Sequence, residues 1–328
     1  MFKIKLKNNK TFTCDENSTI FEAAKKNNIA LEHSCLSSRC RSCIVKVISG
    51  STINNEEELV LTEEDKNENF VLSCNAKPLS DLELDIEDLG EITLFKKKII
   101  PSKISVIEKL TNDVIKLVLR LPPNSNFRFN SGQYVNIIRG NLTRSYSIAN
   151  SSDHKNQLEF FIKKYTNGLM SEYFFKEAKI NDLLRLEGPI GTFFLRDSSF
   201  KNIIFLATGT GIAPIKSILE GLDISHEQHQ NKDFWVIVGA RYQDDLFWEL
   251  NLKNINIKYI PVLSRQENDW NGEKGYIQDI VLNQKIDLEN SQVYACGSND
   301  MIKSAKELFI KNNLKENNFF SDAFVQTN

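Results

Sequence analysis

Glycine and proline are scarce in this sequence, at 14 and 7 of 328 residues. That excludes collagen-like repeats and Pro/Gly-rich disorder, and it gives each glycine cluster weight. Histidine is rarer still, with four residues. Two of them, His226 and His229, sit in a Glu/Gln/Asn/Lys-rich stretch without Cys or acid partners and read as a solvated helix end. No apolar run approaches the ~18–20 residues needed to span a bilayer. A strong net charge is also lacking. The formal value is −2, so no global field favours nucleic acid or an anionic membrane, and neither is expected as a partner. Met1-Phe2-Lys3-Ile4-Lys5-Leu6-Lys7 alternates apolar and basic residues, which is strand periodicity rather than a signal peptide. A cytoplasmic protein is the expectation.

What is present is a globular balance, 41% hydrophobic and 26% charged residues, in a chain longer than the ~250–300 residues one core usually serves. Two or three domains follow. Residues 1–90 hold 11 Lys/Arg against 16 Asp/Glu, a net of −5, and the remainder carries +3. The first segment is thus an acidic module on a near-neutral body. Its pattern predicts a hairpin over 2–7 and 10–14, a helix from Thr19 to about Asn28 opened by a Thr19/Glu22 capping box, and strands at 44–48, 71–74 and 82–86. Residues 54–68 are acidic and polar. A linker spans Gly90 to about Pro101. Residues 102–198 are mainly strand-like (104–110, 114–121, 133–138, 145–149, 158–162) with one helix near 170–178, which predicts an antiparallel barrel. From 199 to 328 strands at 203–207, 234–238, 257–263 and 292–295 alternate with helices near 214–222, 245–252, 277–284 and 300–312. That is the rhythm of a parallel α/β sheet.

Six cysteines are present. Cys35, Cys40, Cys43 and Cys74 form C-x4-C-x2-C-x30-C. This is the plant-type [2Fe–2S] spacing, in which one tight loop supplies three thiolates and a strand end the fourth. A structural zinc site is the competing reading, but zinc loops usually show paired C-x2-C knuckles and only one such pair exists here. Cys14, in the second strand, reads as a buried structural thiol. At these residues the first 90 positions resemble plant-type ferredoxin modules of α+β, β-grasp fold. Such loops commonly carry Gly two residues before the second ligand and directly after it. Here those positions are Ser38 and Arg41. Arg41 is expected to tune the cluster or to face a partner.

Arg144-Ser145-Tyr146-Ser147 matches the R-x-Y-S element of the ferredoxin–NADP⁺ reductase superfamily. On a strand, Arg144 and Tyr146 share a face and Ser147 points away. The resemblance implies that Arg144 meets the flavin pyrophosphate, Tyr146 packs on the isoalloxazine, and the Ser147 hydroxyl lies near the hydride-accepting N5. Gly168-Leu169-Met170-Ser171 resembles the family's diphosphate turn, with Gly168 and Ser171 ahead of a helix whose free N–H groups favour anions. Gly188-Pro189-Ile190-Gly191-Thr192-Phe193 is similar to G-P-x-G-x-F. Gly209-Thr210-Gly211-Ile212-Ala213-Pro214 follows an apolar strand and opens a helix. Glycines let the backbone approach a pyrophosphate, and the absence of a following Gly-Lys-Ser/Thr excludes a P-loop. It resembles the family's G-T-G-x-A-P, whose matched positions are Gly209, Thr210, Gly211 and Pro214. Gly239-Ala240-Arg241 and Cys296-Gly297-Ser298 end later strands. The resemblance implies that Arg241 and Gly297 line the dinucleotide and that Cys296 lies close to the nicotinamide, although a buried structural thiol is the default for a lone cysteine. Near-terminal Phe324 is the aromatic such proteins stack on the flavin; core packing is its plain alternative.

The resemblance covers essentially the whole chain in the order ferredoxin module (1–90), FAD barrel (102–198), nicotinamide domain (199–328). It implies an NADH-dependent iron–sulfur flavoprotein oxidoreductase, with NADPH as the other possible donor, that passes electrons through FAD and a [2Fe–2S] cluster to a protein acceptor. Arg144–Asn150, Met170–Tyr173 and Leu184–Arg196 look most like the reductases of 3,6-dideoxyhexose synthesis. Their partner is a dehydrase with a pyridoxamine-type cofactor and its own iron–sulfur centre. Reductases of diiron or Rieske oxygenases share the domain order and are the alternative. A carrier or regulatory module without a working reductase half is disfavoured by the intact Arg144, Tyr146, Gly209, Gly211 and Cys296.

Overall fold

A computed structural model divides the chain into two compact units, Met1–Leu94 and Phe95–Asn328. It describes residues 1–323 except 91, 155, 198, 230, 267 and 268. Phe324 lies outside the described residues.

The first unit is built on a five-stranded sheet. Strands β1 (Phe2–Leu6) and β2 (Thr11–Cys14) form the expected hairpin, and β7 (Leu82–Leu84) runs parallel to β1. Strands β3 (Ile44–Ser49) and β5 (Phe70–Leu72) complete the order β2-β1-β7-β3-β5. Helix α1 (Ile20–Lys26) buries Ile20, Phe21, Ala23 and Ala24 against Ile4, Leu6, Phe12 and Leu84. It starts where the capping box says it should. The Glu22 N–H donates to Thr19 Oγ1 at 3.2 Å and the Thr19 N–H to Glu22 Oε2 at 3.0 Å, satisfying two otherwise orphaned donors. Two short strands, β4 (Thr52–Asn54) and β6 (Ala76–Pro78), pair beside this sheet, and helix α2 (Glu63–Asn67) forms in the acidic stretch.

The second unit opens with six antiparallel strands in the order β11-β10-β13-β8-β9-β12. These are β8 (Lys98–Lys109), β9 (Val114–Arg120), β10 (Tyr134–Arg139), β11 (Leu142–Ser147), β12 (Gln157–Lys163) and β13 (Leu183–Ile190). The Ala149 N–H donates to the Glu159 carbonyl at 2.8 Å just past β11. The two edge strands therefore meet and the sheet closes as a barrel, leaving few free edges. Helix α3 (Leu169–Lys176) adds Met170, Tyr173 and Phe174 to the barrel core. Strand β8 takes over the end of the expected linker, and β13 runs through the stretch that carries the G-P-x-G element.

A six-stranded all-parallel sheet follows, in the order β17-β16-β15-β14-β18-β19. Its strands are β14 (Asn202–Thr208), β15 (Asp233–Ala240), β16 (Ile257–Leu263), β17 (Glu273–Lys274), β18 (Ser291–Gly297) and β19 (Phe319–Ala323). Helices α4 (Ile212–Ile224), α5 (Ile277–Asn283) and α6 (Asn299–Lys311) cover it. Every residue of β18 is buried, as a central strand covered on both faces requires. The helix expected at 245–252 is not formed. Leu246, Phe247, Trp248, Leu250 and Leu252 instead run as an irregular strap against the core that also holds Phe205 and Val236. The same core includes Val114, Ala149, Phe161 and Phe193, so barrel and parallel sheet share one hydrophobic cluster.

The shortage of glycine has a visible consequence. Of the described non-glycine residues with positive φ, eight are asparagine: Asn9, Asn28, Asn69, Asn126, Asn156, Asn167, Asn181 and Asn313. Asparagine tolerates the left-handed region best among residues with a Cβ, so it closes turns where glycine would otherwise stand.

Candidate cluster, flavin and nicotinamide sites

The loop between α1 and β3 brings Cys35, Cys40 and Cys43 to Cys74, which follows β5. The thiols fall into two pairs. Cys43 Sγ lies 3.2 Å from Cys74 Sγ, and the Cys35 N–H donates to Cys40 Sγ at 3.3 Å. The Ser37 and Arg39 N–H groups both point at Cys35 Sγ, each at 3.4 Å. Hydrogen bonding from Cys40, then from Ser37 and Arg39, pulls Cys35 down to about 5. The bond from Cys43 pulls Cys74 down to about 7, and Cys40 and Cys43 are pushed up by the same contacts. Two thiol pairs with backbone N–H groups aimed at sulfur suit a two-iron cluster, one pair per iron, because thiolate is the ligand form and N–H···S bonds stabilise it. Among the described residues, no group of three or more His, Cys, Asp or Glu side chains is arranged to hold a single metal ion. Cys14 is buried elsewhere in this unit, and burial pushes its thiol up to about 11.

Leu36, Ser38 and Arg41 have φ of 53°, 58° and 61°. The two positions where glycine was expected thus adopt the left-handed backbone that glycine would take freely. Arg41 faces inward. Its guanidinium bonds both Asp65 oxygens at 2.6 and 2.9 Å and the Val60 carbonyl at 2.7 Å. Asp65 in turn caps α2 with Thr62. The Arg41 fork holds the Asp65 carboxyl well below the usual carboxylate range. The residue that breaks the glycine pattern therefore ties the cluster loop to α2.

In the second unit, β11 sets Arg144 opposite Ile137, Tyr146 opposite Val135 and Ser147 opposite Tyr134. Arg144 and Tyr146 share a face; Ser147, 9% exposed, lies on the other. The Tyr146 ring meets Phe174 of α3 edge-on at 6.1 Å, and burial raises its hydroxyl pKa. The Arg144 guanidinium donates to the Thr143 carbonyl at 2.8 Å. Gly168 is the N-cap of α3. The Ser171 hydroxyl turns inward, donating to the Gly168 carbonyl at 2.8 Å and accepting the Tyr165 N–H at 3.1 Å. It shapes the turn, which leaves the first-turn N–H groups without intrahelical partners.

Gly209, Thr210 and Gly211 form one 3₁₀ turn between β14 and α4, and Pro214 sits in the first turn of α4, where a missing N–H costs no helical bond. A Cβ on Gly211 would stand 2.2 Å from the Cys296 carbonyl oxygen. A Cβ on Gly297, whose φ is +149°, would stand 2.1 Å from Thr208 Oγ1. These close approaches lock the G-T-G turn against the C-G-S turn at the carboxyl ends of adjacent strands, where open α/β sheets bind ligands. Gly209, at φ +55°, has open space where its side chain would be. Cys296 is fully buried, and burial, then Asp322, holds its thiol well above the ordinary range, so it stays neutral. Arg241 is exposed just past β15, and the Arg265 N–H donates to its carbonyl at 3.0 Å, so the two arginines stand on adjoining strand ends. A separate groove of about 590 Å³, lined by Pro101, Lys103, Arg120 and Leu183, contains none of the motif residues.

Comparison with known proteins gives the same three parts in order. Residues 4–79 match the 2Fe-2S iron-sulfur cluster binding domain, 101–195 the oxidoreductase FAD-binding domain and 205–307 the oxidoreductase NAD-binding domain. The chain is 42% identical to the CDP-6-deoxy-L-threo-D-glycero-4-hexulose-3-dehydrase reductase of Yersinia pestis, over 96% of this chain and 95% of that one. It is 37% identical to protein RfbI of Salmonella typhimurium, over 97% and 94%. Its fold is that of the Amycolatopsis cytochrome P450 reductase GcoB, with a TM-score of 0.74 and 20% identity over 99% of both chains. Among the described residues no helix is long and apolar enough to cross a membrane. With the thiol pairs, the flavin-type strand and the paired glycine turns in one chain, the protein belongs to the family of 2Fe–2S, FAD- and NAD-dependent electron-transfer reductases that includes the CDP-6-deoxy-L-threo-D-glycero-4-hexulose-3-dehydrase reductases.

Proposed function

We propose that this reductase draws electrons from NADH and delivers them to an iron–sulfur dehydrase of CDP-3,6-dideoxyhexose biosynthesis, where they support removal of the C3 hydroxyl. The observation that carries the reading is the 42% identity over nearly the full length of a reductase named for that dehydrase. Cys35, Cys40, Cys43 and Cys74 would hold the [2Fe–2S] cluster, which supplies a one-electron carrier when bound. Arg144 takes the flavin pyrophosphate with the α3 N-terminus that Gly168 and Ser171 shape. Tyr146 would pack against the flavin ring system, and Ser147, on the other face of the strand, would offer its hydroxyl to it. Gly209, Thr210, Gly211 and Pro214 would cradle the dinucleotide, with Arg241 and the Cys296-Gly297 turn at the neighbouring strand ends. A hydride brings two electrons together and an iron–sulfur cluster carries one, so bound FAD is where the pair is split. Cys296 is fully buried at the end of its strand, where burial keeps its thiol protonated and unsuited to act as a base. A cytoplasmic setting fits a chain whose cysteines are read as cluster ligands and buried thiols rather than as a disulfide framework. The test is NADH oxidation with a purified dehydrase and its CDP-sugar, compared with purified oxygenases. Consumption that requires the dehydrase and its sugar is expected; consumption driven by an oxygenase alone overturns the partner.

A further inference from the structure

The hydrophobic cluster shared by barrel and parallel sheet holds them together, but apolar contacts are non-directional and do not fix a register. A polar latch does. Lys216, on α4, has three N–H protons and three acceptors: the Ala149 carbonyl at 3.0 Å, Glu159 Oε1 at 3.1 Å and Glu220 Oε1 at 2.6 Å. The second Glu220 oxygen accepts the Ser151 N–H at 2.9 Å. Beside it the buried Ser217 hydroxyl donates to the Asn150 carbonyl at 2.6 Å and accepts the Gly132 N–H at 3.3 Å. The side chains of Lys216, Glu159 and Glu220 are 14%, 21% and 23% exposed.

A lysine sunk between two carboxylates is a poor way to add stability, since desolvation offsets most of the attraction, and its better-attested use is to specify one arrangement over its neighbours. Its position says which arrangement. Residues 149–151 follow the R-x-Y-S strand directly, roughly 10 Å of chain beyond Ser147. Lys216 lies one helical turn, about 6 Å, past Ile212, where the G-T-G turn becomes α4. The latch thus connects the flavin strand to the dinucleotide turn through a few bonds on each side. Resting on the functional reading above, we infer that Lys216, with Glu159 and Glu220, sets the register of the nicotinamide turn against the flavin. These are positioning residues for hydride transfer, distinct from those that bind either cofactor.

The test is Lys216→Met in the FAD- and cluster-loaded chain. Flavin content and apparent NADH affinity are expected to stay within about threefold, while flavin reduction at saturating NADH slows at least tenfold, because near-attack geometry is sensitive to displacements of ~1 Å. The primary isotope effect with C4-deuterated NADH should be larger than in the wild type. In flavin-free protein, amide exchange should accelerate at 149–151 and 212–217 but not in β9. Glu159→Gln, which keeps an acceptor and removes the charge, is read the same way if Lys216→Met does not fold. Reduction within twofold of wild type, or a slow variant without an isotope effect, overturns the latch alone. A wild-type chain whose flavin NADH does not reduce overturns the functional reading and the latch together.

Discussion

Replacing Gly211 by alanine probes the nicotinamide site with a single methyl group. Its Cβ would stand 2.2 Å from the Cys296 oxygen, 2.6 Å from the Cys296 carbonyl carbon and 2.9 Å from the Gly297 nitrogen. All three are backbone atoms, so no rotamer change relieves the contact. Ordinary separation begins near 3.4 Å, so the two strand ends must part by about 1 Å, an overpacking that costs ~1–3 kcal/mol. A displacement of that size between reacting groups is worth ~100-fold in rate. Gly209→Ala is the control. Its φ of +55° makes alanine strained by ~1–2 kcal/mol, yet nothing lies within 4 Å of the new Cβ. Stopped-flow reduction of the flavin by saturating NADH separates them. Gly211→Ala should retain FAD and reduce it about a hundredfold more slowly, whereas Gly209→Ala should raise the NADH concentration needed and leave the limiting rate within a few-fold. Equal limiting rates for the two variants would refute the locking of the G-T-G and C-G-S turns.

Three further outcomes follow from the same geometry. Arg144→Ala should bind FAD ten- to hundredfold less tightly, the ~1.5–3 kcal/mol of a lost charge-assisted pair; unchanged occupancy in flavin titrations would make the R-x-Y-S match accidental. Asp65 has a depressed pKa when folded, so its contribution is present above the unfolded value of ~3.9 and fades as pH falls through the lower folded value. The urea-midpoint gap between wild type and Asp65→Asn should therefore be full at pH 7 and narrow below pH ~4; a gap that holds at acid pH contradicts the Arg41–Asp65 clamp. In dye reduction at one ionic strength, kcat/KM should favour NADH over NADPH, because Asp244 and Asp245 stand close after Arg241; a ratio favouring NADPH would identify Arg241 and Arg265 as a phosphate clamp.

Much of the fold was legible because local and global signals agree. Thr19 and Glu22 announce α1, and the alternation of Gly-ended apolar strands with helices announces the parallel sheet. Where they disagree, distant partners decide. The 245–252 stretch is apolar at near-helical density, yet the Tyr259 hydroxyl donates to the Trp248 carbonyl, and just past the stretch Asp223 Oδ1, some thirty residues away, accepts the N–H groups of Lys253, Asn254 and Ile255. An extended strap is thereby satisfied without helical bonds. Strand β13 was hidden because Gly188 and Pro189 mask its periodicity. In the cluster loop, Ser38 and Arg41 were visible as departures, but the reach of Arg41 to Asp65 spans 24 residues and carries no sequence pattern. The Lys216 latch was invisible for the same reason: its acceptors come from β12, α4 and the segment after β11.

The central claim is the route of the electrons, and Cys40→Ser tests it most directly. Removing one thiol of the Cys35/Cys40 pair should leave NADH-driven reduction of a small dye at the flavin near the wild-type rate while abolishing transfer to a protein acceptor. Parallel loss of both activities, or retention of both, would contradict a relay in which the flavin precedes the cluster.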